Sequence, residues 1–454
     1  MGAASGGAFD EHNPPSKDIV SDCVHCGFCL PTCPTYTLWG EEMDSPRGRI
    51  YLMEMGLAGE PMTPEMVRHF DACLGCMACV TACPSGVRYD KLIEATRAQV
   101  ERRFDRSPKD RLLRRAIFAV FPYPKRLHAM RGPLRAYQAS GLSRLVRRSG
   151  LLRRVFPALA ALESLAPSIG AYERVPARVP AQGTKRGTVG MLLGCVQREF
   201  FPGVNSATAR VLSAEGFEVV TPPDQGCCGA LSVHNGREKE AKAFARRLID
   251  HFTRSEVDWV LVNAAGCGSA MKEYGDLLAD DPAYAERARD FAARVRDVSE
   301  ILADHPAVAP RHPLPVTIAY HDACHLAHAQ GIRAQPRALL RDIPELEVRE
   351  IAEGEICCGS AGIYNILEPG TGRDLGDRKA HNVLATGASL LVTANPGCLM
   401  QVASSVGRIA GESGRSPGIR LAHTIEILDA SIRGLATESV GSPIGGNVPS
   451  MTAR

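Results

Sequence analysis

The sequence predicts an α/β protein: a helical N-terminal domain, a basic helical arm, and two duplicated α/β domains with mainly parallel strands. Three observations predict this. A run C-x2-C-x2-C-x3-C-P occurs twice before residue 85, and the residues between and after the copies space their apolar side chains as helices do. Residues 102–154 carry sixteen Lys and Arg against two Asp, again with helical apolar spacing. From residue 187, short apolar runs alternate with helical stretches, the pattern of βα units.

Length and composition bound the answer. A chain of 454 residues has room for about three domains. With 45% hydrophobic and 23% charged residues it is globular in composition, neither disordered nor collagen-like. The net charge of +3 gives no reason to expect nucleic acid. The first ten residues have no basic and apolar leader, so a cytoplasmic setting is expected, where sixteen cysteines point to metal or redox chemistry rather than disulfides. No stretch reads as a membrane span. The longest uncharged one, residues 382–407, is broken by Asn395-Pro396-Gly397 and is expected to be a buried strand running into a loop.

Residues 1–18 are small and polar and are expected to be mobile. Residues 19–104 hold the two cysteine runs, Cys23, Cys26, Cys29 and Cys33, then Cys73, Cys76, Cys79 and Cys83. This is the bacterial ferredoxin run, in which three thiolates of one loop hold a [4Fe–4S] cluster and the fourth, before a proline, reaches the other cluster. The expected ligand sets are therefore crossed: Cys23, Cys26, Cys29 and Cys83 for cluster 1, and Cys33, Cys73, Cys76 and Cys79 for cluster 2. Zinc sites favour two separated cysteine pairs over a run of four. Between the runs, a turn at Asp44-Ser45-Pro46 leads into a helix, Thr63 and Pro64 cap a second, and a third spans about Tyr89–Arg103. Arg47, Arg49 and Arg88 flank the runs, where positive charge favours a reduced cluster; ordinary salt bridging is the alternative. His25 is expected to tune its cluster by hydrogen bonding or exposure rather than ligate it.

Residues 105–186 form the arm and a linker. Its net charge, counted from Arg102 to Arg154, is +14, interleaved with Leu112, Leu113, Ile117, Phe118, Leu142, Leu145, Val146, Leu151 and Leu152. Such a helix lies on an anionic membrane surface or an acidic partner, or simply connects domains with a solvated face. Residues 166–186, with several Pro and Gly, read as a linker.

The remainder repeats itself. Domain 187–300 carries Cys195, Cys227-Cys228-Gly229 and Cys267, and domain 314–435 carries Cys324, Cys357-Cys358-Gly359 and Cys398. The cysteine blocks are separated by 31 and 38 residues in the first copy and by 32 and 39 in the second, which indicates duplication. Each block follows a strand-like run, so each set of four is expected to converge at the carboxyl edge of a parallel sheet. Four converged thiols admit a further cluster, a redox dithiol or structural packing. His321, His325 and His328 surround Cys324, but no histidine accompanies Cys195, so they are expected to support or pack rather than ligate. Residues 436–454 are expected to be a mobile terminus.

Over nearly its whole length the sequence resembles the iron–sulfur subunit of bacterial glycolate oxidase (glycolate dehydrogenase). Cys23-Val-His-Cys-Gly-Phe-Cys, Asp44-Ser-Pro-Arg-Gly-Arg-Ile-Tyr-Leu, Gly226-Cys-Cys-Gly, Gly266-Cys-Gly, Cys357-Cys-Gly-Ser-Ala-Gly and Thr393-Ala-Asn-Pro-Gly-Cys carry the resemblance. It implies an electron conduit: flavoprotein partner subunits oxidise glycolate to glyoxylate, and electrons pass on toward a quinone at the inner membrane. No G-x-G-x-x-G follows a strand and no acid–base constellation for hydroxy-acid oxidation is visible, which assigns the chemistry to a partner's cofactor. Equivalent subunits of D-lactate or glycerol 3-phosphate dehydrogenases, a thiol–disulfide reductase, and a redox sensor or scaffold are the alternatives. The duplicated domains also look like those of heterodisulfide reductase, whose blocks end in C-x-x-C. Here the ends read Cys267-Gly-Ser-Ala270 and Cys398-Leu-Met-Gln401, one cysteine short in both copies.

Overall fold

The structure, a computed structural model, describes residues 7–412 and 418–444. The N-terminal unit is helical, with helices Pro34–Trp39, Pro46–Leu57, Pro64–Ala72, Ala78–Ala82 and Tyr89–Arg103 around Ile50, Met53, Phe70, Leu92 and Ile93. Thr63 caps its helix by accepting from the Met66 amide, with Pro64 in the first turn as expected. Of the stretch expected to be mobile, residues 1–6 lie outside the described residues. The rest is tied down: Ala8 is buried, and Asp10 binds the side chains of Gln99 and Arg102 at 3.0 Å.

The two cysteine loops share one backbone. His25 and Gly75, each two residues after a first cysteine, have φ of 52° and 64°; Gly27 and Met77, each after a second cysteine, have 86° and 63°. Such left-handed turns aim successive N–H groups into a concavity that suits an anionic cluster.

The arm is five helices, Pro108–Val120, Pro124–Ala139, Leu142–Ser149, Leu151–Val155 and Pro157–Leu165. Its beginning is anchored. Ile117 and Phe118 pack on Ile363 and Ile366, Arg106 forks onto Asp71 at 2.7 and 3.0 Å, and Leu127 enters the core of the first duplicated domain.

The described residues contain ten strands: β1 (Arg178–Val179), β2 (Gly187–Met191), β3 (Phe217–Val220), β4 (Trp259–Val262), β5 (Val295–Asp297), β6 (Val316–Tyr320), β7 (Leu346–Glu350), β8 (Leu390–Thr393), β9 (Arg420–His423) and β10 (Ser442–Pro443). They form two five-stranded sheets ordered β1-β3-β2-β4-β5 and β10-β9-β8-β6-β7. All pairs are parallel except β1 with β3 and β10 with β9, both at an edge. The central strands β4 and β8 read as apolar runs because helices cover both faces; every residue of β8 is buried.

Three expectations are corrected. The supposed linker contributes β1, because a two-residue edge strand has no periodicity to detect. Residues 436–444 are likewise not a loose tail: they end in β10, while 445–454 lie outside the described residues. Asn395-Pro396-Gly397 opens not a loop but the helix Pro396–Glu412, proline being well suited to a first turn. The fourth strands, β5 (Val-Arg-Asp) and β9 (Arg-Leu-Ala-His), are missed in the sequence because neither is an apolar run.

The two sheets share one core through helices Pro202–Ala214 and Thr424–Arg433, clamped by Arg210 on Asp429 at 2.6 and 2.9 Å. The loops after β4 and β8 bond to each other, the Ala265 amide donating to the Ala394 carbonyl at 3.1 Å. That contact brings the two cysteine sets face to face.

Candidate metal centres

Each Cys-Cys-Gly turn needs its glycine. Gly229 and Gly359 have φ of 83° and 85°, and a Cβ on Gly359 would stand 2.7 Å from the Gly372 carbonyl. This turn lays the paired cysteines against the helix that follows. In the first copy Cys195 and Cys227 sulfurs are 3.7 Å apart, and Cys228 is hydrogen-bonded by Cys227 and Cys267. In the second, Cys357 bonds Cys324 and Cys358, and Cys398 bonds Cys358. Neighbouring thiols thus hold Cys228 and Cys358 well below the ordinary cysteine range, while Cys227 and Cys357 are pushed up by the same bonds. All eight sulfurs line one cavity of about 200 Å³, together with Cys73, Arg97, His234, His325 and Tyr364. A set of soft thiolates at such spacing suits iron–sulfur or another thiophilic metal centre.

The ferredoxin loops differ in setting. Cys26 is exposed, and Val24 and Phe28 beside it are 68% and 65% exposed. Cys33, Cys73, Cys76 and Cys79 are buried. Cys33 lies near enough to Cys76 and Cys79, and Cys83 to Cys23, for charge on one thiol to raise the others. Cys76 also packs in one apolar cluster with Leu74, Cys357, Tyr364 and the partly buried Cys324. The buried loop therefore abuts the second cysteine set directly.

The three flanking arginines part company. Arg49 is 1% exposed and donates to the His69 carbonyl at 2.6 Å, to Thr35 at 3.1 Å and to Asp44 at 3.4 Å, with Cys33 Sγ at 3.9 Å. Burial alone would push the Cys73 thiol up, but Arg49 and Arg97 bring it below its usual value. Arg47 pairs with Glu42 at 2.6 Å and donates to the His25 carbonyl at 2.8 Å, beside the exposed loop. Arg88 is an exposed partner of Asp90. The His25 side chain is exposed.

Arg97 was not singled out from the sequence, yet its guanidinium donates to the carbonyls of Cys73 and His234 and so joins the N-terminal unit to the first duplicated domain. Its partners lie 24 and 137 residues away, and no local pattern marks it. His328 accepts a similar joining role, bonding Thr81 at 2.8 Å and the Glu355 carbonyl at 3.1 Å. His325 Nδ1 stands 3.5 Å from Cys324 Sγ.

Comparison with known proteins matches these parts one by one. Residues 19–87 match a 4Fe-4S dicluster domain, and residues 189–272 and 318–403 each match a cysteine-rich domain. Residues 109–166 match the linker region of the glycolate oxidase iron–sulfur subunit. The chain is 38% identical to the probable glycolate oxidase iron–sulfur subunit of Bacillus subtilis, over 90% of this chain and 93% of that one. The chain belongs to the glycolate oxidase iron–sulfur subunit family. The Escherichia coli K12 subunit is 35% identical over 86% of this chain and 91% of its own. Lactate utilization protein A of an Exiguobacterium species is 27% identical over 54% of this chain and 98% of its own. A crystal structure of a hypothetical protein from Helicobacter pylori covers 61% of this chain and 53% of its own at TM-score 0.41 and 9% identity, too loose to carry an argument. As a member of this family the chain is a subunit of an oxidoreductase, and its N-terminal unit carries two [4Fe–4S] clusters. Among the described residues no helix is long and apolar enough to cross a membrane.

Proposed function

We propose that the chain conducts electrons from a flavoprotein partner, which oxidises glycolate to glyoxylate, to a quinone at the inner-membrane surface. The ligand sets are crossed, Cys23, Cys26, Cys29 and Cys83 for the first cluster and Cys33, Cys73, Cys76 and Cys79 for the second. When bound, the clusters supply one-electron transfer, which splits the two-electron chemistry of a flavin. The residues set the order. Val24, Cys26 and Phe28 present the first set to a partner, Arg49 holds the second set dry and positively flanked, and Cys76 hands on to Cys324 and Cys357. That last contact is the observation that carries the reading, because it leaves no insulating layer between the ferredoxin unit and the cysteine-lined cavity.

The test uses the full chain together with its flavoprotein partner subunits. Glycolate is expected to bleach the iron–sulfur absorbance and to elicit the EPR signals of both clusters. Cys83→Ser should alter the signal of the exposed cluster, and Cys33→Ser that of the buried one. Clusters that stay oxidised while the partner flavin is reduced, or zinc in place of iron, would overturn the proposal.

A further inference from the structure

The two cysteine sets are not equivalent. His321 follows β6 as Leu192 follows β2, each three residues before the first cysteine of its set, and their amides make the same bond, to Val392 and Leu261 of the neighbouring strand. Leu192 packs with Cys195, Cys227 and Cys228 in the apolar core of its domain. His321 is 1% exposed, its ring nitrogens meet no nitrogen or oxygen partner among the described residues, and the polar group it faces is the Cys358 thiol. One ring nitrogen and the sulfurs of Cys358 and Cys398 lie within 4.8 Å of one another. A second difference points the same way. Gly229 rests on Ala241 and Phe244, as Gly359 rests on Gly372 and Leu375, which places Lys379 where the first copy has the buried Leu248. Lys379 is 2% exposed and donates to the Glu353 carbonyl; burial holds it below the usual lysine range, against the pull of the Cys358, Cys357 and Cys398 charges.

We infer that His321 is a metal ligand, and that Cys324, Cys357, Cys358, Cys398 and His321 together hold an iron–sulfur cluster that the first set, with four cysteines and Leu192, does not match. A buried imidazole whose only polar neighbours are sulfurs costs free energy that a leucine at the same place does not, so packing alone does not account for it. Five donors exceed the four of a tetrahedral zinc ion but suit a cluster with several irons. The missing cysteine at Gln401 is thereby replaced from another part of the fold. When protonated, the buried Lys379 amine offsets part of the negative charge that four thiolates bring. Histidine ligation raises the potential of an iron–sulfur centre over an all-cysteine one, which fits a station that receives electrons from the second ferredoxin cluster.

This inference rests on reading the second set as a metal centre, and the iron of the ferredoxin unit, counted separately, distinguishes a failure of one from a failure of the other. The full chain is purified without oxygen, and iron, zinc and acid-labile sulfide are measured beside pulsed EPR of the reduced protein, with and without 15N-histidine. Iron and sulfide above the content of the two ferredoxin clusters are expected, with a hyperfine coupling from directly bound nitrogen. His321→Leu, which copies the first domain, should lose that excess and keep the ferredoxin iron. His321→Cys should keep the excess iron, lose the nitrogen coupling and shift the potential of the centre downward. A coupling that persists in His321→Cys, full iron in His321→Leu, or zinc with no excess iron would each overturn the assignment.

Discussion

At the scale of single residues, Arg49 decides whether the buried cluster site survives. Its guanidinium satisfies the His69 carbonyl, Thr35 and Asp44 in a space without water, and Asp44 is held from the other side by His69 Nδ1 at 2.8 Å. Arg49→Met leaves the buried Asp44 carboxylate with only the exposed Arg68, 3.7 Å away, as a cation, a loss of up to about 3–5 kcal/mol for pairs of this kind. The expected outcome is a protein that retains the exposed cluster but loses iron from the buried one, read by iron analysis and EPR. Full iron content with an unchanged melting temperature would show that Asp44 and His69 hold the site unaided. Proximity to a cysteine run marks Arg47, Arg49 and Arg88 alike in the sequence, and all three pair with a carboxylate; only burial separates the one that also reaches a cysteine sulfur.

At the scale of elements, the turn from β9 into helix Thr424–Arg433 holds a pH-sensitive joint. His423 is fully buried; its Nδ1 accepts from the Ile425 amide at 3.1 Å, and its Nε2 donates to the Asn263 carbonyl of the other sheet at 2.8 Å. The bond accepted at Nδ1 requires the neutral ring, whereas the one donated from Nε2 survives protonation. Burial moves its pKa down from 6.5 to about 4, against the pull of the Asn263 carbonyl. The unfolded chain thus takes up this proton near pH 6.5 and the folded chain only near 4, so the contribution is intact above that window and lost as pH falls through it. The shift corresponds to roughly 3 kcal/mol at its lower end. His423→Gln should flatten the fall in melting temperature between pH 6.5 and 4.5 relative to the unaltered protein; an equal slope in both would place the acid sensitivity elsewhere. The equivalent turn after β5 uses Asp297 in a capping box with Glu300, and His423 forms one with Glu426, so the duplication extends to helix starts that the cysteine spacing does not reveal.

At the scale of the whole molecule, the arm is anchored at both ends, Ile117 and Phe118 near its start and Leu162 and Leu165 near its end joining Ile363 and Ile366, and is bare between them. Beyond Leu127 it leaves Leu142, Leu145, Leu151, Val155, Phe156 and Leu159 exposed among basic residues, Leu145 at 65% and Leu151 at 64%. Apolar side chains rimmed by Lys and Arg fit the surface of an anionic bilayer, where each basic residue adds about 1 kcal/mol. The protein is expected to sediment with phosphatidylglycerol vesicles, less so at high salt, and only weakly with phosphatidylcholine. Leu145→Gln with Leu151→Gln should weaken that binding about tenfold, on the basis of partial burial of two leucines. Indifference to both vesicle types would rule out the membrane and leave an acidic partner or a solvated connector.

The sequence alone determined the parts and their chemistry. Metal-binding cysteines are spaced by local chain geometry, so two ferredoxin runs and two Cys-Cys-Gly copies are written in plain intervals. Strands such as Trp259–Val262 and Leu390–Thr393 are apolar runs because both faces of their sheets are covered. The tertiary structure alone decided how the parts meet. Nothing local to Cys76 places it beside Cys324, and nothing local to Ala265 and Ala394 turns two cysteine sets toward one cavity. The role of His321 was also hidden, since a ligand far in sequence from Cys358 and Cys398 joins them only through the pairing of β6 with β8. Local chemistry is carried by spacing along the chain; the path electrons take depends on contacts between residues that only folding brings together.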